Sequence, residues 1–170
     1  MSAIKFNNVS KEYIRANAET FCALKDINIE IQGGEYVALM GNSRAGKSTL
    51  LRMMGCMERP TEGSIFINDQ DITQMTDLEL SQQRGHVVGY FHIASNTLHE
   101  IDEYYRKFPI LLVEEPVLGT ADEHVLAIME RLEELNKQGT TVVFITHDQE
   151  VGNRAGRIIR VKEGSIEQEV

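Results

Sequence analysis

The chain has 170 residues, of which 42% are hydrophobic and 25% are charged. This size and composition predict one folded domain and exclude a disordered or fibrous chain. The formal net charge of −9 argues against nucleic acid as a partner, because affinity for a phosphate backbone comes largely from Lys and Arg side chains that release counterions.

The sequence opens without a secretory signal pattern, and no apolar run approaches the roughly 20 residues that cross a bilayer. Cys22 and Cys56 stand singly in apolar surroundings, without the spacing of a metal site or a disulfide framework. We therefore expect both cysteines to be buried as small hydrophobic side chains in a reducing compartment. Together these features favour a cytoplasmic protein with no direct membrane insertion.

The first forty residues predict strands. Residues 4–9 and 23–31 alternate apolar and polar side chains, which is the period of a half-buried antiparallel layer. After a turn at Gly33 and Gly34, residues 36–40 form a short apolar run, as expected of a strand that is buried on both faces.

A glycine-rich loop follows that buried strand directly and has the spacing Gly-x-x-x-x-Gly-Lys-Ser. Its members, with the residue that follows them, are Gly41, Asn42, Ser43, Arg44, Ala45, Gly46, Lys47, Ser48 and Thr49. Glycines let successive backbone N–H groups point at phosphate oxygens, and the next helix adds its positive end. The Lys47 ammonium reaches the outer phosphates and the Ser48 hydroxyl is suited to Mg²⁺, so the pattern predicts a nucleoside triphosphate site. Arg44 is either an extra phosphate contact or a solvated cation.

The rest of the chain alternates strands and helices. Strands are predicted at 64–68, 87–91, 110–113 and 141–145, followed by a hairpin of 158–161 and 165–169. Helices are predicted at 48–56, at 76–83 with a Thr76–Glu79 capping box, at 95–107 capped by Ser95 or Asn96, and at 121–138. The fold class that this order predicts is α/β: a P-loop NTPase core with a mainly parallel sheet flanked by helices, and an N-terminal antiparallel β layer.

Four further side chains are candidates for the same site. Glu114 and Glu115 end an apolar strand, where Glu114 would orient a metal-bound water and Glu115 would polarise the water that attacks the γ-phosphate. His147 follows another buried strand and would contact the γ-phosphate. Tyr13 would stack on adenine. The alternatives are two solvated acids, a structural histidine and an ordinary strand aromatic.

These motifs, in this order, resemble the ATP-binding domain of ABC transporters, most closely the lipoprotein-release and macrolide-export branch. The similarity covers residues 4–71, with Tyr13 and the phosphate loop, and residues 110–164, with Glu114, Glu115, Pro116 and His147. The resemblance implies ATP and Mg²⁺ as ligands, Glu115 as the catalytic carboxylate and His147 as the switch histidine.

The sequence departs from that family between the two matching stretches. The family's helical subdomain and its Leu-Ser-Gly-Gly-Gln signature are missing, and a short connection near 92–109 stands in their place. His92 is the residue nearest the place of the family's glutamine, and Glu114 replaces an aspartate. We therefore expect residues 1–170 to form one truncated domain, natural or engineered, that is a monomer or a non-standard homodimer and has no transporter membrane subunit as partner.

Three functions remain open from the sequence. The first is an Mg-ATP binding core with weak or no ATP hydrolysis, since a partner's signature would normally complete the site in trans. The second is a non-catalytic scaffold module that uses nucleotide to hold its shape. The third is a small-molecule kinase, which the strand-end glutamate and the lack of an Arg-rich lid disfavour. The choice between ATP and GTP also stays open.

Overall fold

The computed structural model describes residues 1–93, 98–114 and 123–169. The strands, in chain order, are β1 Ser2–Ile14, β2 Thr20–Gln32, β3 Tyr36–Met40, β4 Glu62–Ile67, β5 Gln70–Asp71, β6 Val88–His92, β7 Ile110–Glu114, β8 Thr141–Ile145, β9 Arg157–Lys162 and β10 Ser165–Glu169. The helices are α1 Lys47–Met54, α2 Asp77–His86, α3 Leu98–Glu100, α4 Glu123–Lys137 and α5 Gln149–Gly152. A π-helical turn, Ile101–Tyr105, follows α3.

The strands form two sheets. The central sheet has six strands in the order β10-β9-β3-β8-β7-β6, in which all neighbours are parallel except the β9–β10 hairpin. The second sheet is antiparallel, in the order β2-β1-β4-β5. This arrangement confirms the predicted α/β class and the N-terminal antiparallel layer.

The central strands are buried on both faces, and their side chains alternate between two cores. Residues 37, 39, 143 and 145 join a core that also contains α1 and the antiparallel sheet, whereas residues 36, 38, 40, 142 and 144 join a core that contains α4. Because successive strand residues point to opposite faces, the sheet separates the two layers cleanly. The phosphate loop lies at the carboxyl end of β3, on the face covered by α1.

The β1–β2 hairpin extends beyond the layer that the sequence predicts, and this corrects one expectation. Each strand has 13 residues, and residues 20–22 of β2 are exposed because this end of the hairpin projects past the core. Cys22 is therefore exposed, not buried, and its Sγ lies 3.3 Å from the carbonyl oxygen of Leu24. Cys56 is buried as expected, and desolvation raises the pKa of its thiol to about 11.

Two predicted helices show how well local signals locate helix ends. Thr76 caps α2 with the reciprocal capping box that its spacing to Glu79 predicts. The helix predicted at 95–107 is present in its described part, where the short α3 continues directly into a π turn closed by a bond from Arg106 N to Ile101 O. Its proposed caps, Ser95 and Asn96, lie outside the described residues.

Within the described ranges, no helix is both long and apolar enough to cross a membrane.

Candidate nucleotide site

The loop between β3 and α1 has a backbone that only glycine accommodates at two places. Gly41 has φ +149°, and a Cβ there would lie 2.1 Å from the carbonyl oxygen of Val161. Gly46 has φ +104°, and its Cβ would lie 2.7 Å from the carbonyl oxygen of Ala23. The backbones of β9 and β2 therefore lie so close to the loop that a side chain at either position would clash with them. Gly46 is the N-cap residue of α1.

Lys47 is buried in this loop, with 5% of its surface exposed. Its Nζ donates to the carbonyl oxygens of Gly41 and Asn42, both at 2.7 Å. Desolvation lowers the pKa of this ammonium, since burial disfavours the charged form. A cation held by neutral carbonyls beside a cavity is well placed to exchange them for an anionic ligand.

Glu114, the last residue of β7, is the acceptor of a small hydrogen-bonded cluster. Ser48 Oγ donates to its Oε1 at 2.8 Å, and the Tyr90 hydroxyl donates to its Oε2 at 2.5 Å. His92 Nδ1 lies 3.6 Å from the same Oε2. Burial, and then the bond to Glu114, raise the pKa of the Tyr90 hydroxyl. A hydroxyl and a carboxylate in contact are the oxygen ligands that Mg²⁺ takes in proteins, so Ser48 and Glu114 fit such an ion.

Most of the candidate residues surround one cavity of about 640 Å³, a volume typical of small-molecule sites. Its lining is Tyr13, Arg15, Phe21, Ala23, Ser43, Arg44, Ala45, Gly46, Lys47, Ser48, Thr49, Glu114, Ile145 and His147. His147 and Arg44 are exposed at its border. Gly41 and Asn42 contribute through the carbonyls that hold Lys47. Glu115 lies outside the described residues.

The far end of the cavity is aromatic. Tyr13 is half-buried, and its hydroxyl donates to Glu58, which pairs with Arg52 Nε at 3.0 Å. Phe21 is the cross-strand partner of Tyr13, and the Arg15 guanidinium lies 5.0 Å from the Phe21 ring centre. Sequence reasoning missed Phe21 and Arg15. The signal was present, because residues that face each other across a hairpin share one face of the sheet.

Tyr90 is the other functional candidate that sequence reasoning missed. It lies two residues before His92 on β6, and His92 is the register partner of Glu114 across the parallel pair. The period of two along a strand brings Tyr90 and His92 to the same face. Only the pairing of β6 with β7, however, shows that this face is the one that carries Glu114.

Known proteins resemble this chain in sequence and in fold. The sequence profile of the family described as ABC transporter matches residues 24–153. An uncharacterized ABC transporter ATP-binding protein of Bacillus subtilis, YknY, is 30% identical over 96% of this chain and 94% of its own length. That alignment runs over 218 positions, more than the 170 residues here, so YknY has stretches with no counterpart in this chain.

Two further relatives extend the comparison. The macrolide export ATP-binding/permease protein MacB of Vibrio parahaemolyticus is 27% identical, and the match covers 96% of this chain but 33% of MacB. Among solved structures, the dimeric post-hydrolysis state of the ATP-binding cassette MJ0796 bound to ADP and Pi superposes with a TM-score of 0.84. The sequence identity is 28%, and the superposition covers 98% of this chain and 97% of the cassette. MJ0796 is also the name of an ABC transporter ATP-binding protein of Methanocaldococcus jannaschii that matches this chain in sequence.

Proposed function

This chain belongs to the ABC transporter family of ATP-binding proteins, and on that premise we propose that it binds ATP with Mg²⁺ in the cavity beside the phosphate loop. The observation that carries the proposal is the position of Lys47, buried at the start of α1 with its ammonium turned onto the loop carbonyls. The proposal includes a cytoplasmic setting, which suits two free cysteines, Cys22 and Cys56.

The phosphate end of the cavity supplies positive charge and oxygen ligands. Backbone N–H groups of the loop would bind phosphate oxygens, and the Lys47 ammonium would exchange its two carbonyl acceptors for them. Ser48 and Glu114 would hold Mg²⁺, which neutralises part of the phosphate charge when bound. The Tyr90 hydroxyl keeps the Glu114 carboxylate in one orientation.

The base end supplies an aromatic ring in a fixed position. We expect Tyr13→Ala to weaken ATP binding by about 1 to 2 kcal/mol, roughly 5- to 30-fold in Kd, because base–aromatic stacking is lost. Calorimetric titration measures the change. Tyr13→Phe keeps the ring, loses only the hydrogen bond to Glu58 and should stay close to the parent.

The control for that titration is Tyr104→Ala. Tyr104 is an exposed tyrosine on the π turn and does not line the cavity within the described residues. It should bind ATP as the parent does. Equal affinity of the parent and Tyr13→Ala would instead make Tyr13 an ordinary strand aromatic.

Hydrolysis is proposed to be slow. Glu115 and His147 are the groups that would act on the attacking water and the γ-phosphate, by family resemblance. The signature pentapeptide that a second subunit contributes in this family does not occur in the sequence. Groups that complete a phosphoryl-transfer site in trans are worth about 10³ to 10⁵ in rate where measured. Support for a missing subdomain comes from the YknY alignment, which is longer than this chain.

A phosphate-release assay tests this part. We expect a low, Mg²⁺-dependent rate from the parent and background from Glu115→Gln, which keeps the shape of the side chain but removes its basicity. Both proteins should show an ATP-induced rise in melting temperature, since a ligand that binds only the folded state stabilises it. The matched control is Glu134→Gln on α4, which should hydrolyse ATP at the parent's rate.

If the parent and Glu115→Gln both release phosphate only at the background rate, the second candidate is favoured, namely a non-catalytic scaffold module that nucleotide stabilises. The absence of the signature pentapeptide from the sequence is the observation that favours it. The same observation leads us to propose a monomer or a non-standard homodimer without a transporter membrane subunit. Sedimentation of the same samples with ATP reports the mass, and an ATP-dependent dimer of the usual head-to-tail type would contradict this.

A further inference from the structure

Arg44 has an unusual backbone conformation for a residue with a long side chain. Its φ is +64°, in the left-handed region that glycine adopts without cost and that other residues adopt rarely. Glycine would therefore give the phosphate loop the same curve with less strain. Strained positions of this kind cluster at ligand sites, so the observation points to a role for the guanidinium.

The guanidinium of Arg44 lacks a partner among the residues that the structure describes. Arg44 lines the nucleotide cavity and is exposed at its border, and its side chain forms no hydrogen bond or ion pair with any residue in the described ranges. The other two cations of the lining are engaged. Lys47 donates to loop carbonyls, and Arg15 lies 5.0 Å from the ring centre of Phe21 at the aromatic end. Arg44 therefore brings to the cavity a charge that is available to an anionic ligand.

We propose that Arg44 binds the γ-phosphate of ATP from within its own chain, and that the site therefore binds ATP more tightly than ADP. This inference rests on the proposed nucleotide site. A guanidinium is a planar fork of N–H donors that can bind more than one phosphate oxygen at once, and it stays charged at every physiological pH. Since glycine would serve the shape of the loop better, the arginine contributes charge.

The position of Arg44 favours the terminal phosphate over the inner ones. The loop curls around the buried Lys47, so its backbone N–H groups would hold the phosphates that lie inside the curve. Arg44 and His147, in contrast, are both exposed at the border of the cavity. The terminal phosphate is the group that extends from the enclosed part of the loop toward this border. An exposed, flexible side chain there reaches oxygens that the loop backbone leaves uncovered.

The experiment titrates ATP and ADP, each with Mg²⁺, into the parent and into Arg44→Gly by calorimetry. Glycine accepts a φ of +64°, so this variant should fold with a melting temperature at or above that of the parent. We expect the affinity for ATP to fall about tenfold or more, because a hydrogen bond between two charged groups is lost. The affinity for ADP should stay within about threefold of the parent's, since ADP lacks the phosphate that Arg44 would contact.

Two further variants separate the charge of Arg44 from its backbone strain. Arg44→Gln keeps a side chain at the left-handed position but has no charge, and Arg44→Lys keeps both the side chain and a charge. If the guanidinium binds phosphate, Arg44→Gln should match Arg44→Gly, and Arg44→Lys should retain part of the ATP preference. If Arg44→Gln binds ATP as the parent does, the loss in Arg44→Gly comes from the backbone, and the proposal is wrong.

The matched control for net charge is Arg106→Gln. Arg106 is exposed at the end of the π turn and does not belong to the described lining of the cavity. It should bind ATP and ADP as the parent does, and a loss of ATP affinity equal to that of Arg44→Gln would overturn the proposal. The ³¹P NMR spectrum of bound ATP adds a readout at the phosphate itself. Between the parent and Arg44→Gly, the γ-phosphorus resonance should move more than the α and β resonances.

The outcomes also separate this proposal from the proposed function. If Arg44→Gly lowers the affinities for ATP and ADP equally, the guanidinium contacts an inner phosphate, so nucleotide binding stands and the role at the γ-phosphate is wrong. If Arg44→Gly lowers neither affinity, Arg44 is a solvated cation and the role is again wrong. If the parent binds neither ATP nor ADP with Mg²⁺, the proposed function and this inference are both wrong.

Discussion

Lys47→Ala is expected to weaken ATP binding by more than about 100-fold, a loss of about 3 kcal/mol. The ammonium is the one lysine charge that the described structure buries against the phosphate loop, with 5% of the residue exposed. In a site of reduced dielectric, its attraction to phosphate is worth far more than a surface ion pair. Calorimetric titration with ATP and Mg²⁺ measures the loss.

Lys5→Ala is the control, because it removes the charge of a lysine that does not line the cavity. Lys5 lies on β1 in a weak surface pair with Glu30, at 3.9 Å. It should bind ATP as the parent does. The melting temperature of Lys47→Ala without nucleotide must also be measured, because the substitution leaves the carbonyls of Gly41 and Asn42 without their donor. An unchanged ATP affinity in a folded Lys47→Ala would refute the proposed site.

Gly41→Ala is expected to destabilise the fold by about 3 kcal/mol or more and to abolish nucleotide binding. A methyl group would lie 2.1 Å from the carbonyl oxygen of Val161, and the backbone has φ +149°. The obstacle is backbone of β9 in the central sheet, so it cannot move away as a side chain would. Urea denaturation measures the free energy of unfolding.

Gly85→Ala is the matched control, and this glycine substitution is expected to raise the free energy of unfolding instead of lowering it. Gly85 lies in α2 and is exposed, and a methyl group added there would meet no described atom within 4 Å outside the backbone of its own helix. Alanine should stabilise this helix by about 0.5 to 1 kcal/mol, because it restricts the unfolded chain. If Gly41→Ala were as mild as Gly85→Ala, the loop would tolerate side chains and its curvature would have another cause.

Local patterns predicted the elements that depend on neighbours in the chain. The apolar run at 36–40 is β3 with those bounds, and the Thr76–Glu79 spacing is a capping box in the structure. Where tertiary contacts decide, the same reasoning failed. Apolar neighbours suggested a buried Cys22, but burial depends on what packs against the strand, and residues 20–22 at this end of the hairpin are exposed.

For the site, the phosphate loop and the chemistry expected of it can be predicted from sequence, because the spacing from Gly41 to Ser48 is local to one segment of the chain. The distant side chains that lie beside this loop can be identified from the three-dimensional fold and not from the sequence. The pairing of β6 with β7 places His92 and Tyr90 beside Glu114, and the β1–β2 hairpin places Phe21 beside Tyr13. Strand order and register come from packing between segments far apart in the chain, and no periodicity within one segment encodes them.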